Sequence, residues 1–216
     1  NITAPSVDVK FRAGTSLTFS GTAIDPEDGT LPSSAFSWDI VFHHRTHTHP
    51  YLGPIDGVKS GDFPIGVVDE TDPVQWFRIH LTVTDSLGTS TTTFTDVYPE
   101  TVKLTLSSSV PAIILKLDND PVTLDAPYDA VIGRQRQLVA PRTQTIDGVT
   151  YKFVSWSDGG AATHPIIAPG DDITYVATYQ VIQANINASY FSNSDLTGTQ
   201  IARTEAEIDF AWGCLL

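Results

Sequence analysis

Apolar and polar residues alternate with a period of two along most of this chain. Leu17, Phe19, Gly21 and Ala23 are separated by Thr18, Ser20 and Thr22; Phe36, Trp38, Ile40 and Phe42 follow the same rule, and so do Phe77, Ile79, Leu81 and Val83. Residues two apart on a strand share a face, so each set predicts a half-buried β-strand. No segment repeats its apolar residues at helical spacing for three turns, and helix is expected to be nearly absent. Asp25-Pro26-Glu27-Asp28-Gly29 and Asp85-Ser86-Leu87-Gly88 supply turn chemistry between the strands. A second set of alternating residues begins after Pro99-Glu100: Val102, Leu104 and Leu106; Ile113, Leu115 and Leu117; Tyr151 and Phe153; Ile173, Tyr175, Ala177 and Tyr179.

This pattern predicts an all-β chain of tandem immunoglobulin-like β-sandwiches, 1–98 and 99–181, with a partial C-terminal β-element over 182–216. A β-sandwich of this kind needs roughly 80–100 residues, so the 216 residues suffice for two and a remainder. Gln180 to Ala184 reads as a polar joint. Beyond it, Ile186, Ala188 and Tyr190 alternate, as do Ile208, Phe210 and Trp212, in a stretch too short to enclose a core of its own. Packing back onto the second sandwich is one expectation for this stretch, and self-association through residues 183–216 by strand addition is another.

Composition narrows the setting. With 41% hydrophobic and only 17% charged residues, the chain is far from the profile of a disordered one. A formal net charge of −13 disfavours nucleic acid as a partner, because a polyanion would meet net repulsion. The single cysteine, Cys214, allows no disulfide within the chain, so stability is expected to rest on core packing or metal. Met is absent, as in a processed or excised product. No apolar run approaches the roughly 18 residues of a membrane span.

Three local resemblances follow. "AGTSLTFSGTAIDPEDG", "FSWDI" and "FRIHLTVTDSLG" resemble the polycystic-kidney-disease (PKD) repeat family over roughly residues 5–98, which implies an immunoglobulin-like sandwich in a secreted protein; Trp38-Asp39 of that family's turn is kept, but Ile40-Val41-Phe42 and a histidine cluster follow it. "YKFVSWSDGGAATHPI" and "ITYVATY" resemble a β-rich repeat of bacterial surface proteins, over about 100–181. "INASYFSNSDLTGTQIARTEAEIDFAWG" resembles the opening strands of the protective-antigen-type carbohydrate-binding domain. The order of the three is similar to the accessory region of large secreted bacterial carbohydrate-active proteins, which implies that catalysis belongs to another part of the parent protein.

The densest chemistry is His43-His44-Arg45-Thr46-His47-Thr48-His49, four of the six histidines in seven residues. On a strand His47 and His49 share a face and could both reach one Zn²⁺ or Cu²⁺ ion; His43 or His44 would be needed to complete the set, with help from residues such as Asp39, Asp56, Asp62 or His80. The alternative is a hydrogen-bonded corner where the strand leaves the sheet, with His44 following Phe42 on the inner face. Asp25, Glu27 and Asp28 could present carboxylates to Ca²⁺, although the same residues also make a turn. For a sugar ligand the pattern points Trp76, Arg78 and His80 outward, making Trp76 the candidate stacking platform for polysaccharide with Arg78 on the same face, and Tyr51 is another candidate. Phosphate-loop, dinucleotide and nucleophile-elbow motifs are missing.

The resemblances imply a non-catalytic, secreted or cell-surface accessory or spacer module of a bacterial carbohydrate-active protein, with glycan binding as its expected partner chemistry. The rival is a structural subunit of an extracellular fibre assembled by β-strand pairing.

Overall fold

A computed structural model describes residues 1–182 and 186–205. Among the described residues the chain is all-β, with one 3-10 turn at Ser33–Ala35 and no α-helix, and no helix is long and apolar enough to cross a membrane.

The first unit pairs a three-stranded sheet, Ile2–Ala4, Ser16–Gly21 and Ser60–Pro64, with a five-stranded one. The latter runs in the order Lys10–Phe11, Ser90–Pro99, Gln75–Thr84, Phe36–His44, His47–Asp56. The alternation explains why the two sheets meet face to face. Leu17, Phe19 and Phe63 from one sheet and Trp38, Ile40, Phe42, Phe77, Ile79 and Leu81 from the other fall into one buried cluster, while the residues between them face outward. Each such large side chain withdrawn from water contributes about 1.5–3 kcal/mol. Trp38 is fully enclosed, tilts against Phe19 at 4.8 Å between centroids, and donates its indole N–H to the Val58 carbonyl at 2.9 Å. The hydrogen bond is what allows an indole to sit in an apolar core without an orphaned donor.

The second unit is likewise two sheets around one core. Five strands are ordered Pro127–Val131, Thr101–Ser108, Ile173–Val181, Val149–Trp156, Thr143–Ile146, and four are ordered Asp120–Pro121, Lys116–Leu117, Gln135–Val139, Thr163–Ile167. Leu104, Leu106, Leu115, Leu138, Trp156, Tyr175 and Ala177 lie within its buried cluster. Thr101–Ser108 and Ile173–Val181 run parallel, with Leu104 opposite Ile173 and Ser108 opposite Ala177. Past this unit, Ile186–Phe191 pairs antiparallel with Gln200–Glu205. The Ile208, Phe210 and Trp212 alternation, the Asp209 to Gly213 resemblance and Cys214 lie outside the described residues, as do Gln183 and Ala184 of the joint.

Only Glu100 separates the Ser90–Pro99 strand from Thr101–Ser108, and it is pinned on both sides. Its amide donates to the Phe11 carbonyl at 2.8 Å, its carbonyl accepts from the Ile132 amide at 2.9 Å, and its carboxylate takes a two-pronged hold on Arg12 at 2.6 and 2.8 Å. The Ala13 amide donates to the Ile132 carbonyl and the Gln135 amide to the Val67 carbonyl, so backbone bonds cross the junction in both directions. Val131, from the second unit, is buried in the core of the first.

Arg134 closes the joint. Its side chain has no exposure; Nη1 donates to the Gly66 carbonyl at 2.6 Å and Nη2 to Gln75 Oε1 at 3.1 Å, while an Asp69 carboxylate oxygen lies 3.7 Å from Nη1. Gln75, 1% exposed, spends its amide N–H groups on the carbonyls of Glu70 and Asp72. Burial lowers the proton affinity of the guanidinium, and the charge of Asp69 opposes that most strongly. The planar fork suits two acceptors at once, which an ammonium could not match.

Candidate metal centre

The Phe36–His44 and His47–Asp56 strands form a hairpin closed by Arg45 and Thr46, with His44 opposite His47 and Phe42 opposite His49. Because His44 follows Phe42 by two, it continues the inner face of the strand past the end of the core, and its ring stacks on Phe42 at 5.8 Å. His47 faces it directly and His49 is two residues along the same strand. Pleat geometry and the hairpin register together gather three imidazoles on one side of the hairpin tip. His44 Nε2 is 3.0 Å from His49 Nε2, the His44 and His47 rings meet edge to face at 4.1 Å, and ligand atoms of the three lie within 4.8 Å of one another. His44 is half-buried; His47 and His49 are exposed.

The loop between the Ser60–Pro64 and Gln75–Thr84 strands covers the other side of His44. Glu70 places Oε2 3.5 Å from His44 Nδ1, and its Oε1 accepts from the Asp72 amide at 3.1 Å. Arg45 at the hairpin tip pairs with Asp72 through its side chain and donates its amide to the Val74 carbonyl at 3.0 Å. Asp72 is pushed up by burial, but the Val74 amide and the Arg45 guanidinium outweigh this and hold its carboxyl below the usual range. Tip and loop thus form one docked unit. In this acidic loop Asp69 faces Arg134, Glu70 faces His44 and Asp72 binds Arg45.

His43 does not join the cluster. It is one residue out of phase with His44, so it points to the outer face and stacks on Trp76 at 4.7 Å with a 19° tilt. Burial, and then the charge of Arg78, push its imidazole below the ordinary histidine range. Trp76 is flanked on the next strand by Tyr98 at 6.1 Å and 29°. With neighbours stacked from both adjoining strands, Trp76 offers edges rather than an open ring face. Arg78 is held by Asp96 through two bonds of 2.8 Å and lies 4.0 Å from the Phe94 ring centroid. Tyr51 packs against Phe42, Phe63 and Phe77 and donates its hydroxyl to the Pro64 carbonyl at 2.7 Å, which makes it part of the core's rim. The open aromatic surface on this sheet belongs instead to Phe94 and Tyr98, each 53% exposed, which the strand alternation of Ser90–Pro99 could have singled out.

Two of the three calcium candidates, Asp25 and Asp28, are spent locally. Asp25 Oδ1 accepts from the amides of Glu27 and Asp28 at 2.9 Å each, and both oxygens of Asp28 are taken by Ser86, amide at 2.9 Å and hydroxyl at 2.8 Å. These carboxylates tie one turn to another and do not converge on a common point. Asp118 is similar: it binds the Arg136 guanidinium and accepts from the Gln137 amide at 2.7 Å. Among the described residues, the three histidines are the one group of three or more His, Cys, Asp or Glu side chains whose ligand atoms converge. No protein-family model, curated protein or solved structure matches this chain.

Proposed function

We propose that this chain is a non-catalytic, extracellular accessory module that acts as a rigid spacer in a larger secreted carbohydrate-active protein. The observation that carries the reading is the junction. A flexible linker lets two domains reorient, whereas here the linking residue Glu100 is hydrogen-bonded to both units and Arg134 is buried between them. A joint of this kind holds the two sandwiches as one strut and fixes the direction in which the chain leaves. The three resemblances in the sequence support the secreted, accessory setting, and exposed Phe94 and Tyr98 beside the Arg78–Asp96 pair support polysaccharide as the partner of the outer face.

Residual dipolar couplings measured on the whole chain test the strut. Couplings from residues 1–98 and 99–181 are expected to fit a single alignment tensor. Two tensors of different magnitude would mean independent units and would remove the spacer reading. Polysaccharide pull-down with Phe94→Ala and Tyr98→Ala variants tests the outer face: binding that both substitutions weaken supports it, and an absence of binding to every polysaccharide tried removes it.

A further inference from the structure

We infer that His44, His47 and His49 bind one late first-row divalent cation, Zn²⁺ or Cu²⁺, with Glu70 as the positioning residue that orients His44. This goes beyond the spacer reading and does not depend on it.

His44 Nε2 and His49 Nε2 stand 3.0 Å apart, so in the metal-free protein one donates its proton to the other. His44 Nδ1 faces the Glu70 carboxylate at 3.5 Å. A proton on Nδ1 is favoured there, and it leaves the Nε2 lone pair turned toward the other two histidines. This is the tautomer a metal ligand needs, and a carboxylate on the far nitrogen of a ligating imidazole is the usual way such a ring is oriented and made more basic. On binding, the proton on His49 Nε2 moves by exchange with solvent to its Nδ1, so both rings stay neutral and the cation lies between the two Nε2 lone pairs.

Distances fit with a small adjustment. Tetrahedral Zn²⁺ with bonds of about 2.0–2.1 Å places its nitrogen ligands about 3.3 Å apart. The His44–His49 separation is already near that value, and the widest separation in the set, within 4.8 Å, closes by rotation of exposed side chains that no core contact restrains. Three neutral imidazoles without a converging carboxylate select borderline cations over Ca²⁺ or Mg²⁺, which prefer oxygen. Three protein ligands leave a fourth position open toward solvent. The ion would join both arms of the hairpin tip and, through Glu70, the loop docked against it.

The test uses untagged whole chain, stripped by chelating resin and titrated calorimetrically with ZnCl₂ and with CuCl₂. One ion per chain is expected, along with a rise in melting temperature. His47→Ala combined with His49→Ala should abolish saturable binding while leaving the metal-free melting temperature near that of the parent, since both rings are exposed. His43→Ala should keep the one-to-one stoichiometry. Glu70→Gln should weaken affinity about 10-fold to 100-fold with stoichiometry kept. In the Cu²⁺ form, electron paramagnetic resonance should show nitrogen couplings from imidazoles that are lost in the double variant. Absence of saturable binding, or binding undiminished in the double variant, overturns the site. Loss of binding in His43→Ala overturns the ligand set, and unchanged affinity in Glu70→Gln overturns the role of Glu70.

Discussion

Arg134 Nη2 donates to Gln75 Oε1 at 3.1 Å, and neither side chain reaches solvent to any useful extent. The two residues belong to different sandwiches, so their bond exists only when the sandwiches are docked. Replacing Arg134 by Met keeps most of the packing volume but orphans the Gly66 carbonyl and the Gln75 amide oxygen, at a cost of about 1–3 kcal/mol for each acceptor left unpaired. Urea denaturation followed by tryptophan fluorescence should show a lowered midpoint and a broader or split transition. Arg134→Lys should recover only part of the loss, because one ammonium cannot serve both acceptors in the plane of a guanidinium. Full recovery by Lys would mean that charge alone, not the fork, holds the junction.

Gly133 tests the same joint through the backbone. Its φ is +81°, and a Cβ there would lie 2.1 Å from the Ala13 carbonyl oxygen, which is backbone of the other unit and cannot swing aside. Gly57 has a similar φ of +76° with no atom near its absent Cβ. Gly57→Ala should therefore cost only the left-handed backbone penalty, about 1–2 kcal/mol, whereas Gly133→Ala adds a steric clash that must push the sandwiches apart. Thermal melts of the two variants should differ clearly, with Gly133→Ala lower. Equal melting temperatures would show that the junction yields without resistance.

The two tryptophans of the first unit should separate cleanly. Trp38→Ala removes a fully buried ring and strands the Val58 carbonyl, for a loss of about 3–5 kcal/mol. Trp76→Ala removes a half-buried ring held between His43 and Tyr98, and about 1–3 kcal/mol is expected because only part of its surface is withdrawn from water. Chemical denaturation of both variants decides the order, and a reversed order would mean that the faces of the Gln75–Thr84 strand are assigned the wrong way round.

Asp28 gives a pH signature. The Ser86 amide and hydroxyl hold its carboxyl below the ordinary aspartate value, so its contact stabilises the fold fully above about pH 4 and is lost as pH falls through the depressed folded value. The melting-temperature gap between the parent and Asp28→Asn should be present at pH 7 and should narrow as the pH is lowered toward 3. A gap that stays constant over that range would show that the ionised form contributes nothing special.

Much of the architecture was legible in the sequence because it is set by a local rule. Phe77, Ile79 and Leu81 point inward and Trp76, Arg78 and His80 outward simply because successive residues on a strand face opposite ways, and the pairing of His47 with His49 follows from the same rule. Choosing His44 over His43 as their companion needed the hairpin register, which a two-residue loop at Arg45-Thr46 decides and composition does not. Glu70 and Arg134 were beyond reach for a different reason. Each finds its partner across a long stretch of chain, and a carboxylate in an acidic loop or an arginine after Val131-Ile132-Gly133 looks like ordinary surface until the tertiary contacts close around it. The positive charge following an apolar run was the one available hint of the latter.

Val131 fills a place in the first core although it follows that sandwich's last strand, Ser90–Pro99, by a whole β-segment. During synthesis, which proceeds from the N-terminus, the leading sandwich can assemble its sheets as soon as Pro99 has emerged but must wait for Val131 and Arg134 before its open end is sealed. The trailing sandwich is later still, since Ile173–Val181 sits in the middle of its sheet between Thr101–Ser108 and Val149–Trp156. The nascent chain thus carries a half-finished first sandwich whose completion is timed by its neighbour, and a pause in translation between Pro99 and Val131 would prolong exposure of that unsealed end.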